Sequence, residues 1–354
     1  MTGLYIHVPF CVRKCSYCAF YSVAGAPAEI QEQFFTSLKT ELDNLPADFF
    51  PETVFIGGGT PTALNRRILE KLLMELRRFS PAEFSCEVNP GTVNEETFEL
   101  LQRGGVNRLS IGIQSFNEDC LKLLNRIHSS AQAESTFCAA RAAGFKNISI
   151  DLIFGMPGQK LEMLNSDLDC ALNLNPEHIS IYNLMYEEGT PLTAANLPRL
   201  NEELELEMYD TIRRRLSAAG FVHYEISNFS KPDYECRHNL LYWTGGEYIG
   251  CGPAAHSHYA DVRYANAADL SDYCANGARI EFKEQLAPTD KASETFVMQL
   301  RQIAGAEIPP AISDELAPVL RRLEENGLVI INGTHVRLSD DALFVSDSVF
   351  SELI

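Results

Sequence analysis

The feature that most constrains the fold is an alternation of short apolar runs with longer helical patterns over the first 226 residues. Runs of β-branched and aromatic residues predict strands, and apolar residues spaced by three or four positions predict helices. The predicted strands are 4–8, 53–56, 84–88, 109–113, 148–154 and 179–184, with 222–226 as an extra strand. The predicted helices include 68–79, 95–103, 131–143, 161–174 and 202–219. This order predicts parallel βαβ units in an α/β fold, a full or partial β/α barrel whose chemistry lies at the carboxyl ends of the strands.

Polar and glycine-rich clusters fall where such a barrel needs them, after the strands and not before them. They are Cys11 to Cys15 after the first strand, Gly57 to Thr60 after the second, Glu87 to Pro90 at the end of the third, and Gln114 to Phe116 after the fourth. Asp151 lies within the fifth strand. Because the carboxyl ends of parallel strands share one face, these residues are expected to converge there.

The alternation stops after residue 226, and two further segments are predicted. Residues 227–285 are rich in aromatics, Gly and His and are interpreted as a connector with a function. Residues 286–354 contain helical patterns at 291–303 and 312–326 and two short strands joined by Asn332-Gly333, which predicts a small helical, winged-helix-like domain with a hairpin. This last segment has eleven acidic and five basic residues, so we favour a packing or lid role over DNA binding.

Composition narrows the class of protein. A net charge of -19 would repel a phosphate backbone, which argues against nucleic acid as a partner. The chain shows neither a signal peptide pattern nor an apolar run of membrane-spanning length, which predicts a cytoplasmic protein. Ten cysteines in a reducing compartment are expected to be thiols, and their spacing is better interpreted as metal or redox chemistry than as disulfides.

Three of these cysteines, Cys11, Cys15 and Cys18, lie on one short loop with C-x3-C-x2-C spacing. Their sulfurs can converge on one metal centre, and thiolates are the usual ligands of iron–sulfur clusters. Three cysteines would leave one iron open to an exogenous ligand, because the position two beyond Cys18 is Phe20. The alternative is a zinc site, which would require a fourth protein ligand such as His7.

The cysteine spacing, with an aromatic residue before the last cysteine, resembles the signature of the radical S-adenosylmethionine (SAM) superfamily. The resemblance implies a [4Fe-4S] cluster on these three cysteines whose open iron chelates SAM, and cleavage of SAM to a 5′-deoxyadenosyl radical. Stretches such as Phe55-Ile-Gly-Gly-Gly-Thr60, Glu87-Val-Asn-Pro90 and Asp151-Leu-Ile-Phe-Gly-Met-Pro157-Gly are similar to the coproporphyrinogen-oxidase-like branch of that superfamily. The SAM contacts implied by the resemblance are Tyr5, Tyr17, Gly58, Gly59, Thr60, Glu87, Gln114, Arg126 and Asp151.

Two interpretations of function remain within that branch. One is an enzyme, the oxygen-independent coproporphyrinogen III oxidase, but its pattern carries a further cysteine where this chain has Phe20, and an N-terminal extension where only ten residues precede Cys11. The other is a carrier, because His238-Asn-Leu-Leu-Tyr242-Trp243 resembles the heme-binding H-N-x-x-Y-W motif of the HemW family of heme chaperones. We favour the carrier, and enzymatic activity stays an open question.

The HemW resemblance implies that heme contacts His238, Tyr242 and Trp243, with His238 as the ligand of the heme iron. His256, His258 and Cys236 are alternative iron ligands. The partner it implies is a heme-accepting apoprotein, of which a membrane-associated respiratory protein is one candidate, and a homodimer is one candidate assembly. Whether SAM is cleaved and whether heme is attached covalently are not written in the sequence.

Overall fold

The structure is a computed structural model that describes residues 1–353. Its strands are β1 (Thr2–Val8), β2 (Phe10–Cys11), β3 (Val23–Ala24), β4 (Thr53–Gly58), β5 (Glu83–Val88), β6 (Arg108–Gln114), β7 (Ile148–Phe154), β8 (His178–Asn183), β9 (Val222–Glu225), β10 (Asn228–Ser230), β11 (Glu247–Cys251), β12 (His256–Tyr259), β13 (Val262–Asn266), β14 (Ile280–Gln285), β15 (Ala306–Glu307), β16 (Val329–Asn332) and β17 (His335–Leu338). Its helices are α1 (Ala28–Asp43), α2 (Arg66–Leu76), α3 (Glu95–Arg103), α4 (Glu118–Leu123), α5 (Ser130–Ala142), α6 (Leu161–Leu174), α7 (Pro191–Ala194), α8 (Glu202–Ala218), α9 (Arg237–Trp243), α10 (Leu270–Asn276), α11 (Pro288–Gln299), α12 (Ser313–Glu325) and α13 (Ser346–Glu352).

The predicted partial barrel is confirmed. The six parallel strands β1, β4, β5, β6, β7 and β8 are neighbours in that order, and helices connect them. The helices begin where the sequence supplies caps: Asn94 and Thr97 form a capping box at α3, and Ser129 and Gln132 form one at α5. The predicted helices of this region differ from the observed ones by at most three residues at either end.

Side chains alternate between the two faces of each barrel strand, and the division is sharp. Apolar residues such as Leu4, Ile6, Ile111 and Ile150 are fully buried on the face that packs against the helices. The opposite parity faces the barrel interior and is mostly polar. Its polar members on the central strands are Thr53, Glu83, Ser85, Glu87, Arg108, Ser110, Ser149, Asp151, His178 and Ser180. The interior of the barrel is therefore a hydrogen-bonded polar column surrounded by an apolar layer.

The predicted connector continues the sheet. After α9, strand β11 pairs with β1 in parallel, and β12, β13 and β14 follow it as an antiparallel extension, which gives a twelve-stranded sheet in the order β14-β13-β12-β11-β1-β4-β5-β6-β7-β8-β10-β9. The sequence pattern did not predict these strands, because polar and glycine residues interrupt their alternation. The boundaries of the three segments at residues 226 and 285 stay a prediction.

The C-terminal segment contains the predicted helices and hairpin. Helices α11 and α12 are followed by β16 and β17, which are joined by a turn in which Gly333 has φ of 66°. Strand β15 adds a third strand in the order β15-β17-β16, and α13 ends the described chain. Helix–strand–helix–hairpin order is the winged-helix-like arrangement that the sequence predicted.

Candidate functional site

The cysteine loop lies at the carboxyl end of the barrel, where it follows β1. Cys11 ends β2, and all three cysteines of the loop are partly exposed. The segment after α4 holds the loop in place: the Ser16 backbone N–H donates to the Leu124 carbonyl at 3.1 Å, and the Asn125 side chain donates to the Lys14 carbonyl at 2.9 Å. The loop is therefore fixed from outside, while its sulfurs stay accessible.

Two hydrogen-bond donors point at sulfur atoms of this loop. Arg126 Nη1 lies 3.2 Å from Cys15 Sγ, and Thr60 Oγ1 lies 3.6 Å from Cys11 Sγ. Arg126 also donates to the Gly112 carbonyl, which fixes its guanidinium beside the loop. A cation and a hydroxyl that donate to sulfur are contacts that metal-bound cysteine sulfurs accept. The donor set therefore fits an iron–sulfur cluster.

The alternative of a single metal ion is less well matched. Within residues 1–353, no three His, Cys, Asp or Glu side chains converge on one point as a single ion would require, whereas in a cubane each cysteine holds a different iron. His7, considered above as a fourth zinc ligand, has partners on both ring nitrogens: Tyr5 Oη at 3.1 Å from Nδ1 and the Tyr21 carbonyl at 2.8 Å from Nε2.

The glycine turn after β4 packs directly against this loop. Gly58 has φ of 102°, and a Cβ there would lie 2.6 Å from the His7 ring. A Cβ on Gly59 would lie 2.7 Å from the Phe10 carbonyl oxygen. Only glycine allows both the left-handed conformation and this close approach. The turn is therefore shaped by its contact with the end of β1 and with Phe10, the segment that leads into the cysteine loop.

Carboxylates occupy the interior beside the glycine turn. Glu87 Oε2 accepts the Gly58 backbone N–H at 3.1 Å. Burial, and then the negative charge of Asp151, raise the pKa of Glu87 to about 8. Ser110 Oγ lies 3.0 and 2.9 Å from the two oxygens of Asp151 and holds that carboxylate in place. A neighbouring pair of carboxyl groups with hydrogen-bonding capacity suits ribose hydroxyls or an amino group.

The remaining predicted SAM contacts lie at this end of the barrel or just below it. Gln114 ends β6 in a left-handed conformation with φ of 71°, a strained geometry for a non-glycine residue, where the register with β7 shifts. Tyr17 is partly buried, and burial raises the pKa of its hydroxyl. Tyr5 lies deeper in β1, and its hydroxyl contacts His7. The structure thus brings these residues to one region; their contact with SAM stays a prediction.

The predicted heme motif lies at the opposite end of the barrel. It forms the short helix α9, whose first turn sits on Glu83, the first residue of β5: the Glu83 carboxylate accepts the backbone N–H of Arg237 at 2.9 Å and that of His238 at 3.0 Å. His238 bonds to Thr53, the first residue of β4. Thr53 and Gly58 are five positions apart on β4, which corresponds to about 17 Å of strand. Tyr5, a predicted SAM contact, lies closer to the motif, because its ring is 6.3 Å from that of Phe55, on which the His238 ring packs.

His238 is enclosed at that end. Its side chain is 1% exposed, and its ring stacks on Phe55 at a centroid distance of 5.3 Å. Thr53 Oγ1 lies 2.8 Å from Nδ1, and Tyr242 Oη lies 2.8 Å from Nε2. Burial, and then the charge of Arg108, lower the pKa of His238 to about 3, so the imidazole is neutral. Iron coordination through Nε2 therefore requires the Tyr242 hydroxyl to leave.

The other end of α9 carries Trp243, the only tryptophan of the chain. The guanidinium of Arg301, which follows α11, lies 4.5 Å from the centre of its ring. Among residues 1–353 the buried Trp243 Nε1 has no hydrogen-bond partner. An imidazole, two large aromatic rings and one cation are groups that suit an anionic porphyrin.

The alternative iron ligands are placed differently. Cys236 is fully buried, and its thiol lies 3.7 Å from the Glu83 carboxylate. His256 is exposed on β12. His258, two residues further, is partly buried, and its Nε2 has no partner within the described part of the chain. Of the four candidates, His238 and Cys236 are the two that are fully buried.

Sequence reasoning missed the polar cluster that seats α9. Glu83, Arg108 and His178 are buried, and each is the first residue of a barrel strand. Arg108 lies beside Cys236 and Glu83, and His178 Nε2 lies 2.7 Å from Tyr224 Oη. The only sequence signal for this cluster was that a polar residue stands directly before each apolar run. Its position in the alternation of the strand places it on the face toward the barrel interior.

Comparison with known proteins identifies the family. A family model described as the radical SAM superfamily matches residues 5–171, and one described as the HemN C-terminal domain matches residues 286–345. The solved structure of coproporphyrinogen III oxidase (HemN) from Escherichia coli, described as a radical SAM enzyme, has a TM-score of 0.87 at 22% identity. The match covers 99% of this chain and 89% of that one, which confirms the fold.

Curated relatives are closer in sequence. The heme chaperone HemW of Bacillus subtilis is 34% identical, with 100% of this chain and 99% of the relative aligned. The heme chaperone HemW of Escherichia coli is 38% identical, with 86% and 83% aligned, and that of Mycobacterium tuberculosis H37Rv is 33% identical, with 99% and 94% aligned. Across residues 1–353, no helix is long and apolar enough to cross a bilayer. With this identity over nearly its whole length, the chain belongs to the HemW family of radical SAM proteins.

Proposed function

We propose that this chain is a heme chaperone that binds heme and passes it to an acceptor apoprotein, and that it carries a SAM-ligated [4Fe-4S] cluster. The observation that supports the proposal is that the two candidate sets of residues lie apart from each other on one barrel. A cysteine loop whose sulfurs receive two hydrogen bonds lies at the carboxyl end, and a helix with His238, Tyr242 and Trp243 lies at the amino end. The curated relatives are named heme chaperones, which supports the carrier role.

At the carboxyl end, Cys11, Cys15 and Cys18 are proposed to hold the cluster. SAM bound to a reduced cluster supplies a 5′-deoxyadenosyl radical in the superfamily that this chain belongs to. In this chain, Arg126 and Thr60 donate hydrogen bonds to the sulfurs of Cys15 and Cys11. Glu87 and Asp151 are proposed to accept hydrogen bonds from polar groups of SAM, and Tyr17 to pack against it.

At the amino end, His238 is proposed to ligate the heme iron, and Trp243 and Arg301 to contact the porphyrin and its propionates. We propose that the chain works in the cytoplasm, where its ten free cysteines stay reduced. The acceptor is proposed to be an apoprotein, with a membrane-associated respiratory protein as one candidate, and the assembly a homodimer.

The oxidase alternative differs in a measurable product. Phe20 stands where the oxidase pattern has a further cysteine, and its side chain is 67% exposed. The purified, cluster-loaded chain incubated anaerobically with SAM, a reductant and coproporphyrinogen III is expected to give no protoporphyrinogen. Formation of that product over many turnovers would establish the enzyme in place of the carrier.

The heme role is tested by anaerobic absorbance titration of heme into the cluster-loaded chain, with His238→Ala and Cys11→Ala as reciprocal variants. His238→Ala is expected to lose the Soret signature of an imidazole–iron bond and keep its cluster, and Cys11→Ala to lose the cluster and keep heme. His238→Ala protein with unchanged heme affinity and spectrum would transfer the ligand role to His256, His258 or Cys236. Absence of heme binding in the parent chain would refute the carrier proposal itself.

A further inference from the structure

The hydrogen bonds of His238 assign different roles to its two ring nitrogens. A neutral imidazole has one N–H and one lone pair, and iron takes the lone pair. In metal-bound histidines the other nitrogen donates to a partner that fixes the tautomer and the orientation of the ring. His238 has one hydroxyl on each side, Thr53 at Nδ1 and Tyr242 at Nε2, both at 2.8 Å.

The two hydroxyls differ in how easily they can move. Thr53 is buried at the start of β4, a central strand paired with β1 on one side and β5 on the other. Tyr242 lies in the last turn of α9, and among the described residues its hydroxyl bonds only to His238. Thr53 is therefore a fixed partner, whereas Tyr242 can leave by rotation of its side chain.

The first turn of α9 is held more firmly than its last. The Glu83 carboxylate accepts two backbone N–H groups there, and hydrogen bonds to an ionised group are about twice as strong as those between neutral groups. Moving the whole helix would break both of these bonds and the contact of His238 with Thr53. Rotation of Tyr242 breaks one neutral hydrogen bond and its edge-to-face contacts with His238 and Tyr248, but it keeps the Glu83 bonds and the Thr53 contact. It is therefore a smaller change than moving the helix.

An aromatic series leads from the buried imidazole toward the surface. The rings of His238, Tyr242, Tyr248 and His258 follow one another with centroid distances of 5.0, 4.6 and 6.4 Å, each pair edge to face. Tyr248 and His258 are partly exposed on β11 and β12. A flat apolar ring that enters from this side would replace the contacts between these rings with its own contacts to the same rings.

We propose that Thr53 is the positioning residue of the iron-binding His238 and that Tyr242 is the gate of the site. Thr53 accepts the Nδ1–H and keeps the Nε2 lone pair directed toward Tyr242. The Tyr242 hydroxyl donates a hydrogen bond to that lone pair. When heme binds, the Tyr242 side chain rotates together with that of Tyr248, and the lone pair becomes free for the iron. The inference rests on the proposed role of His238 in heme binding and adds two groups, Thr53 and the Tyr242 hydroxyl, with opposite effects.

The gate is tested by stopped-flow measurement of heme association with the full chain. Tyr242→Phe removes the competing hydroxyl and keeps the ring, so heme is expected to associate about two- to tenfold faster, the factor that corresponds to one net neutral hydrogen bond. Tyr259→Phe is the matched control, because Tyr259 packs on Phe49 away from His238 and its change should leave the rate unaltered. A Tyr242→Phe rate equal to or below that of the parent chain overturns the gate.

The positioning role is tested by the iron–histidine stretching band of the ferrous heme complex in resonance Raman spectra. Thr53→Val, which keeps shape and removes the hydroxyl, is expected to shift the band to lower frequency, because Nδ1–H loses its acceptor and the imidazole becomes a weaker ligand. Thr53→Ser should restore it. A merely structural role would lower the melting temperature without moving the band.

The outcomes separate this inference from the proposed function. If His238→Ala abolishes the band while both Thr53 variants match the parent, His238 remains the ligand and the positioning role is wrong. If His238→Ala retains the parent spectrum, the ligand assignment falls and this inference falls with it. Should Thr53→Val fail to fold, Thr53→Ser and Thr53→Cys, a strong and a weak hydrogen-bonding group of similar size, are compared, and equal bands for the two overturn the proposal.

Discussion

Removal of the Glu83 carboxylate should release α9 from the barrel and destabilise the chain. Glu83 is 4% exposed and accepts the backbone N–H groups of Arg237 and His238, while Arg108 is buried beside it. Two charge-assisted hydrogen bonds contribute about 1.5–3 kcal/mol each. An uncompensated buried charge costs about 3–5 kcal/mol. Because both effects arise from the same carboxylate, they overlap, and Glu83→Ala should lower the free energy of unfolding by about 4 kcal/mol.

Two optical probes report different parts of the molecule. Trp243 is the only tryptophan and ends α9, so its fluorescence follows the helix, while far-ultraviolet circular dichroism follows the barrel. In urea, the two transitions of the parent chain should coincide. In Glu83→Ala the fluorescence transition should come at a lower urea concentration than the dichroism transition, because α9 loses its seat first.

A matched control separates this effect from loss of any glutamate. Glu99 is exposed in the middle of α3, and Glu99→Ala should change the free energy of unfolding by less than about 0.5 kcal/mol. Glu83→Gln, which keeps one acceptor oxygen without the charge, should fall between the two. A Glu83→Ala chain that loses less than about 1 kcal/mol, with coincident transitions, would refute the idea that this carboxylate seats the helix.

Three further predictions concern the carboxyl end. Alanine at Cys11, Cys15 or Cys18 should abolish the cluster, measured as bound iron and sulfide after anaerobic reconstitution, whereas Cys138→Ala, at an exposed thiol elsewhere, should keep it. Gly58→Ala should weaken SAM binding by more than about tenfold and cost more than about 2 kcal/mol of stability, because its Cβ meets the His7 ring. Gly158→Ala, also at positive φ but with open space around it, should cost about 1 kcal/mol and leave SAM binding unchanged; equal effects would contradict the close-approach argument. Glu87 has a folded pKa of about 8, above its ordinary value of 4.5, so the folded chain retains a proton that the unfolded chain loses in this window. Stability should therefore fall as pH rises from 4.5 to 8, by up to about 1.4 kcal/mol per pH unit, and Glu87→Gln should flatten the curve measured by urea unfolding; parallel curves would disprove it.

The sequence predicted the parts of the fold that follow local periodicity. The six barrel strands and most of the longer helices between them were found from apolar spacing, although α1 was not among the predicted helices, and the cysteine loop and glycine turn lie after the strands that the pattern indicated. Strand β11 was missed, because Glu247, Tyr248 and Gly250 hide its apolar parity and because it is stabilised by pairing with β1, 245 residues earlier in the chain. Long-range pairing leaves no local pattern.

The candidate sites divide in the same way. The cysteine spacing alone indicated a metal centre at the carboxyl end, because three thiols on one loop need no tertiary information to converge. The contacts that hold α9 against the barrel could be found only from the tertiary fold. Nothing near His238 in the sequence indicates that Thr53 and Glu83, which are 185 and 155 residues away, would form hydrogen bonds with it. The structure also shows that the heme motif and the cysteine loop lie at opposite ends of the barrel.

The parallel pairing of β1 with β11 has a consequence for dissecting the protein. A chain shortened at residue 226 would keep every barrel strand and the cysteine loop, yet it would lose β11 and α9 together. Strand β1 would become an unprotected edge carrying the sequence Leu4-Tyr5-Ile6-His7-Val8, rich in β-formers and free of charge, with a row of open backbone groups. Such a fragment should self-associate into insoluble material. The barrel strands should therefore be expressed together with the segment that carries α9 and β11.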